Sequence, residues 1–309
     1  ELMDYVQNPY FTDQNVEKEK GIIGQEIGMY DDDPGWQLYI NAMDCLYEKN
    51  TIKVDTAGTV ETISGINPEM LYKCYNTFYH PSNMVLTVAG DFEPEAILAE
   101  IKKRLKDNEV RGEITRIYPE EKLEINKKYA EKEMEVSLPL FMIGFKDNIK
   151  DKYNEVVKRH IAIEIILNML IGKSSNLYNE LYKEGYLLSQ PDLEYEFGNE
   201  YSHVLIGGQS KNPQKVYEKI AEKIQEMRNN NINVQEFERI KKKIYGDYAV
   251  EYNNVADIGR MFTSDYIKGI NSFEYMDKFE EIDAEYAKQV LKEIFTEDKM
   301  IMSVIKGKN

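Results

Sequence analysis

The chain has 309 residues, 42% of them hydrophobic, and a formal net charge of −16. This length allows one large or two medium domains, and the apolar content is enough to form cores. The acidic balance argues against nucleic acid or an anionic membrane as a partner of the whole surface. Cys45 and Cys74 form neither a disulfide framework nor a cysteine zinc site, which favours a reducing, cytoplasmic compartment. No apolar run approaches membrane-spanning length, so a membrane partner is not expected.

The first third of the chain alternates helix and loop. Periodic apolar residues predict helices at 1–7, 14–31, 36–48, 68–79 and 93–106. Asn67 followed by Pro68 is a typical helix start, since Asn caps the free N–H groups and Pro fits the first turn. The run "NMVLTVAGDF" is apolar with β-branched members, and it predicts a strand at 84–89.

A charged segment, 116–128, lacks periodicity and is interpreted as a linker to a second unit. There "MEVSLPLFMIGF" predicts one long strand at 134–145, with Pro139 marking an edge or bulge. "DLEYEFGNEYSHVLIGG" predicts a hairpin, and "KMIMSVIKG" the last strand. Helices are predicted at 152–171, 174–184, 213–228, 234–252, 256–268 and 283–294.

Two glutamates of the second predicted helix lie on its apolar side. At about 100° per residue, its apolar residues from Val16 to Tyr30 fall within an arc of roughly 160°, and Glu19 and Glu26 fall inside it. Buried carboxylates need cations, a metal or a proton, because desolvation is costly. The alternative is a half-buried face from which both carboxylates reach water.

A faint internal repeat bears on these two residues. "EMLYKCYNTFYHPSNMVLTVAG" at 69–90 aligns with "EYAKQVLKEIFTEDKMIMSVIK" at 285–306, and residues 16–30 align with 234–248. Glu19 then corresponds to Phe237 and Glu26 to Ile244. The repeat favours a functional role for the two glutamates, since packing would favour carbon at these positions.

The sequence resembles the pitrilysin/insulinase-like zinc metallopeptidases, which include the mitochondrial processing peptidases. The resemblance rests on "NPYFTDQNVEKEKGIIGQEIGMYDDDP", the "AGTVETI" loop, "YNTFYHPSNMVLTVAGDF" and "GKSSNLYNELYKEGYL". It implies an α+β fold of tandem domains, each a mostly antiparallel sheet packed by helices. Residues 1–115 would then be the C-terminal half of an incomplete, catalytic-type domain. A linker at 116–128 would lead to a complete non-catalytic domain at 129–309.

The resemblance also implies roles for the two glutamates. Such enzymes hold zinc with two histidines of an inverted H-x-x-E-H motif, whose glutamate is the general base, and with a glutamate from a later helix. Glu26 matches that zinc ligand, and Glu19 matches a glutamate that orients the histidine site. The motif itself is missing, so no catalytic residue is expected in this chain, and zinc would be absent or weakly bound.

The three histidines, His80, His160 and His203, do not form an H-x-x-E-H motif. His80 is interpreted as a turn residue and His203 as a structural residue of the hairpin. His160 and Glu164 have a spacing that could hold a metal, although a helix-surface pair is the simpler interpretation.

The substrate-binding pattern departs from the family as well. Active relatives often carry an Arg, with a Tyr further along, to hold the substrate carbonyl; here Tyr182 replaces the Arg. Tyr182 and Tyr186 would otherwise pack the end of a helix.

The chain is therefore expected to be part of a zinc metalloendopeptidase that lacks its N-terminal segment and is inactive alone. The alternative is a non-catalytic partner subunit that completes a peptidase chamber. Expected partners are a peptide substrate and either a related subunit, as a homo- or heterodimer, or the missing N-terminal segment. That partner would cover the apolar arc of 16–30 and the strand at 84–89.

Overall fold

A computed structural model of the chain describes residues 1–106, 114–149 and 154–308. It divides into two compact units, each made of several chain segments. The first unit comprises 1–29, 56–117 and 252–269, and the second comprises 30–55, 118–251 and 270–309. Residues 30–55 thus belong to the second unit, although the segments before and after them, 1–29 and 56–117, belong to the first. The predicted assignment of 1–115, 116–128 and 129–309 as domain, linker and domain stays a prediction.

The secondary structure is mixed, which confirms the predicted α+β class. The helices are α1 (Leu2–Gln7), α2 (Asp13–Asp32), α3 (Pro34–Leu46), α4 (Val60–Ser64), α5 (Pro68–Phe78), α6 (Pro94–Arg104), α7 (Val156–Ile171), α8 (Asn176–Lys183), α9 (Pro213–Asn229), α10 (Val234–Glu251), α11 (Val255–Ile267), α12 (Glu274–Lys278) and α13 (Ala284–Ile294). The strands are β1 (Tyr129–Met134), β2 (Leu140–Asp147), β3 (Asp192–Gly198), β4 (Tyr201–Gln209) and β5 (Met300–Gly307).

Side-chain caps explain where several helices begin. Asn67 accepts a hydrogen bond from the Met70 N–H at 2.9 Å, with Pro68 in the first turn of α5, as predicted. Asp33 caps α3 in the same way, accepting from the Trp36 N–H at 2.9 Å. Each cap satisfies an N–H group that the helix leaves without an internal partner.

The first unit contains helices but none of the five strands described. The prediction of a strand at 84–89 is wrong, because this segment forms no ladder with any described residue. Its apolar side chains remain 39–45% exposed at Met84, Val85, Leu86 and Val88. A hollow of about 500 Å³ borders the segment and is lined by α1, α5 and α6 side chains such as Val6, Tyr75 and Ile101.

The second unit is built on one five-stranded sheet of order β1-β5-β2-β4-β3. Strand β5 pairs parallel with β1, and the other neighbours are antiparallel. The prediction of one long strand at 134–145 is therefore wrong: Met134 ends β1, 135–139 form no strand, and 140–145 belong to β2, on the opposite side of β5. Pro139 lies between β1 and β2; it has no N–H to give a ladder, and its carbonyl accepts from the Ser210 N–H at 3.0 Å.

Alternate residues of each strand face opposite layers, as the pleat requires. Phe141, Ile143 and Phe145 of β2 join the large core formed with α7, α8, α9, α10 and α13. On the other face, Leu205 and Ile301 pack with the α3 residues Ala42, Met43, Cys45 and Leu46. The Ser303 hydroxyl donates to the Leu38 carbonyl at 3.0 Å and fixes α3 to β5. The sheet is thus covered by helices on both faces.

Candidate functional site

Helix α2 presents both predicted site residues to solvent. Glu19 and Glu26 are exposed, as are Ile22 and Met29 beside them on the helix, whereas Val16 and Ile27 are buried. Because Glu19 and Glu26 are two turns apart, their side chains leave the helix in nearly the same direction. The helix therefore carries a face on which two carboxylates stand among uncovered apolar side chains.

The buried stripe of α2 is narrower than the apolar arc in the sequence. It follows Val16, Lys20 and Ile27, with the Lys20 ammonium donating to the Ser64 carbonyl at 3.0 Å. On the helical wheel, Glu19 and Glu26 stand about 80–100° from the centre of this stripe. Neither glutamate is buried by the described residues, so neither requires a cation in this arrangement.

These carboxylates do not form a zinc site by themselves. A zinc site with three or four protein ligands needs a cluster of His, Cys, Asp or Glu, and the described part of the chain contains no group of three such residues that could hold a metal ion. Two exposed carboxylates on one helix can supply ligands to a site, but the remaining ligands have to come from elsewhere.

His80 and His203 are held by structural contacts. His80 caps a short 3₁₀ turn at Pro81–Asn83, where its Nδ1 accepts from the Ser82 N–H at 3.2 Å. His203 is buried in β4, with Nδ1 2.9 Å from the Tyr47 hydroxyl and Nε2 3.2 Å from a Glu196 carboxylate oxygen. Both positions match the structural roles expected from the sequence.

His160 and Glu164 do not lie on an open helix surface. On α7, the Nδ1 of His160 is 3.1 Å from the Tyr275 hydroxyl, and its ring contacts Tyr195 and Phe197. Its Nε2 is 3.7 Å from the Glu164 carboxylate. Burial raises the pKa of Glu164 to about 7. The pair belongs to the packing of α7 against its neighbours.

Tyr182 and Tyr186 differ in their surroundings. Tyr182 is 54% exposed at the end of α8, and its ring lies 5.8 Å from that of Tyr178. Tyr186 packs against the large core, with the Lys211 ammonium 5.0 Å from its ring centre. Tyr182 is therefore open to solvent, whereas Tyr186 belongs to the packing of the core.

A buried ionic network at the end of β2 was not anticipated from the sequence. The guanidinium of Arg159 donates to both oxygens of Asp147 and, at 2.9 Å, to Glu293. The Tyr195 hydroxyl also donates to Asp147, at 2.7 Å. Although burial opposes it, these donors hold the pKa of Asp147 below its ordinary value. No local sequence pattern joins residues so distant along the chain.

None of the helices within the described ranges combines the length and apolar character needed to cross a membrane.

Comparison with known proteins identifies relatives along the whole chain. Residues 65–244 match the family described as the peptidase M16 inactive domain. The uncharacterized zinc protease YmfH of Bacillus subtilis is 34% identical over 313 residues, covering all of this chain and 72% of the relative. The uncharacterized zinc protease YmxG of the same organism is 24% identical over 305 residues, covering 96% of this chain and 72% of YmxG.

Solved structures show the same architecture. A putative M16-like peptidase from Alicyclobacillus acidocaldarius superposes with a TM-score of 0.93 at 31% identity, covering 99% of this chain and 74% of that one. An M16 inactive domain from Pseudomonas fluorescens gives a TM-score of 0.79 at 16% identity, with 99% and 73% coverage, and shows the fold alone. The resemblance found in the sequence is thereby confirmed, and this chain belongs to the peptidase M16 family.

Proposed function

We propose that this chain is part of a zinc-dependent metalloendopeptidase that hydrolyses peptides within a clamshell chamber, and that it is inactive alone. The observation that carries the proposal is the exposed face of α2, where Glu19 and Glu26 stand together among uncovered apolar residues. Membership of the M16 family and the names of the relatives, zinc proteases, support it. We place the intact protein in the cytoplasm.

Glu26 is the proposed zinc ligand, and Glu19 is the proposed positioning residue for the histidine ligands. A single carboxylate cannot hold zinc in a stable site, so the histidines and the general base come from a segment outside this sequence. The role assigned to this chain is limited to supplying one ligand from a rigid helix and a carboxylate that orients the others.

The exposed apolar surface of the first unit supports the proposal that a partner binds there. Apolar side chains at 84–86 are exposed beside a hollow of about 500 Å³, and Ile22 and Met29 are exposed on α2. Exposed apolar surface of this kind marks an interaction site. We propose that either a related subunit or the part of the relatives left outside the match covers it, and that peptide substrate binds in the assembled chamber.

A non-catalytic partner subunit is the second candidate function. It is favoured by the match of residues 65–244 to the inactive domain of the family and by the lack of a metal-binding group of three among the described residues. On this proposal the chain shapes the chamber or binds peptide, and Glu19 and Glu26 are solvated surface residues.

Metal content distinguishes the two proposals. The chain and its Glu26→Ala variant are each measured by elemental analysis, with and without a separate segment carrying the H-x-x-E-H motif. The proposal expects near-stoichiometric zinc only for the unchanged chain with the segment. Glu17→Ala is the matched control, because Glu17 is exposed on the same helix and points away from Glu26.

Two results would favour the partner subunit instead. One is no zinc in any combination, although the segment co-purifies with the chain. The other is equal zinc in the unchanged chain, Glu26→Ala and Glu17→Ala, which would show that the segment binds zinc without Glu26.

A further inference from the structure

One carboxylate, that of Glu121, collects four hydrogen bonds in a segment without helix or strand. It accepts from the backbone N–H groups of Glu48, Lys49 and Asn50 at 3.0, 2.7 and 2.7 Å. It also accepts from the ammonium of Lys146 at 2.7 Å. Although burial opposes it, these donors lower the pKa of Glu121 to about 2.

Lys146, one of the donors to Glu121, depends on that carboxylate as its charged acceptor. Lys146 is buried in β2, and its ammonium makes a second bond to the Glu124 carbonyl at 2.8 Å and lies 4.9 Å from the centre of the Tyr47 ring. A buried ammonium that loses its carboxylate is left with a large desolvation penalty. The interaction therefore matters more than an exposed ion pair would.

Residues 118–128, named here the strap, contact the rest of the second unit mainly through polar groups. The N–H groups of Asn126 and Lys127 donate to the Cys45 carbonyl at 2.9 Å, and Lys122 pairs with Glu48 at 2.6 Å. Leu123 is 62% exposed, and Ile125 packs only partly against the small α3 core. With little apolar burial, the strap depends on these hydrogen bonds for its position.

The strap forms one wall of a polar cavity of about 490 Å³. Tyr118 and Glu121 of the strap face the ends of β2 and β4, where Lys146, Asp147 and Tyr201 line the opposite wall. The four hydrogen bonds of Glu121 hold this wall together with the bonds of Asn126 and Lys127 to the Cys45 carbonyl, so losing the Glu121 carboxylate would loosen the wall locally and leave the sheet behind it folded.

We propose that the strap is a closing device over this cavity and that Glu121 is its latch. When the latch breaks, residues 118–128 and the turn at 48–50 separate, and the buried ammonium of Lys146 becomes exposed to solvent. The five-stranded sheet stays folded, since the strap contributes no strand to it and meets its ladder only at the end, where the Lys128 carbonyl accepts from the Met302 N–H at 2.9 Å.

Amide hydrogen exchange on the full chain tests the latch. Glu121→Ala is expected to speed exchange at 48–50 at least tenfold and to speed proteolytic cleavage within 118–128, with the amides of β2 and β4 unchanged. Glu121→Gln keeps the shape and an acceptor oxygen but loses the charge, so its exchange should be intermediate. Glu120→Gln is the control, since Glu120 is the exposed neighbouring carboxylate.

Either of two results overturns the proposal. The first is unchanged exchange at 48–50 in Glu121→Ala. The second is an equal loss of protection at 48–50 and throughout the sheet, which would make Glu121 a determinant of global folding. If Glu121→Ala does not fold, amide exchange at 48–50 and in the sheet is compared in Glu121→Gln instead.

Discussion

Arg159 of α7 and Asp147 at the end of β2 form a two-pronged ion pair inside the second unit. Nε and Nη2 of Arg159 donate to the two Asp147 oxygens at 2.9 and 2.7 Å, and both side chains are at least 96% buried. The planar guanidinium matches the carboxylate geometry, so the pair ties α7 to the end of β2.

Removing one partner of this pair should be strongly destabilising. We expect Asp147→Ala to lower the free energy of unfolding of the second unit by about 3–5 kcal/mol, because it leaves a buried guanidinium without its main acceptor. Chemical denaturation followed by circular dichroism measures the change. Glu226→Gln, which removes an exposed partner of Lys223, is the control and should change stability by less than about 1 kcal/mol. Equal effects of the two variants would contradict the importance of the buried pair.

Glu164 should make stability depend on pH near neutrality. Burial raises its pKa from 4.5 to about 7, and the negative charges of Glu251 and Asp247 on α10 add to the rise, while Tyr248 and Lys243 oppose it. A folded-state pKa above the unfolded value means that the folded state holds its proton longer. Stability contributed by the protonated form is therefore complete below pH 4.5 and is lost as the pH rises through about 7.

Glu164→Gln should reduce the dependence of the free energy of unfolding on pH between about 4.5 and 7. We expect the variant to be more stable than the unchanged protein at pH 8, by roughly 2 kcal/mol after allowance for partial exposure, and nearly equal to it at pH 4. Denaturant unfolding at a series of pH values provides the measurement. Parallel profiles for the two proteins would refute the role of Glu164. Glu180→Gln is a suitable control, as Glu180 is 44% exposed on α8.

Helix α2 contains glycines that a larger residue could replace. A Cβ placed on Gly28 would meet no atom within 4 Å, and glycine within a helix costs about 0.5–1 kcal/mol relative to alanine. Gly28→Ala should therefore stabilise α2 by that amount, seen as slower amide exchange along the helix. Gly144→Ala is the contrasting control: its Cβ would lie 3.1 Å from the Ile301 side chain and 3.3 Å from that of Leu46, so it should destabilise the sheet.

The first unit should associate through its uncovered apolar surface. Light scattering at rising protein concentration is expected to show a mass above the 36.1 kDa of one chain. Leu86→Lys should weaken this association, because Leu86 lines the hollow. Ile117→Lys is the control, since Ile117 is 91% exposed and is not among the residues lining that hollow. A single monomeric mass at every concentration would count against the proposed interface.

Local signals in the sequence predicted the helices longer than five residues, whereas the five-residue helices α4 and α12 were missed. Amphipathic periodicity and the cap at Asn67 act within a few residues, so the start of α5 could be located from sequence. The prediction of a strand at 84–89 was wrong because strand formation depends on residues distant along the chain. A strand is defined by a partner, and the apolar run "MVLTVA" carries no information about whether a partner is present.

The placement of Glu19 and Glu26 on α2 could be predicted in part, while their roles stay a proposal. The wheel correctly placed Glu19 and Glu26 on the same side of α2, which follows from their spacing alone. It did not locate the buried stripe, because that depends on what packs against Val16 and Ile27. The four donors to Glu121 were invisible for the same reason: Asn50 and Lys146 meet it only through the tertiary fold.

The place of β5 in the sheet has a consequence for synthesis of the protein. Residues 300–307 form a strand between β1 and β2, so two of the four strand pairings in the sheet can form only when β5 is present. While these residues are still inside the ribosome, β1 has no neighbour and β2 is paired on one side only. The second unit should therefore complete its fold after translation of residue 307, and nascent chains stalled before it should be sensitive to proteases and prone to bind chaperones.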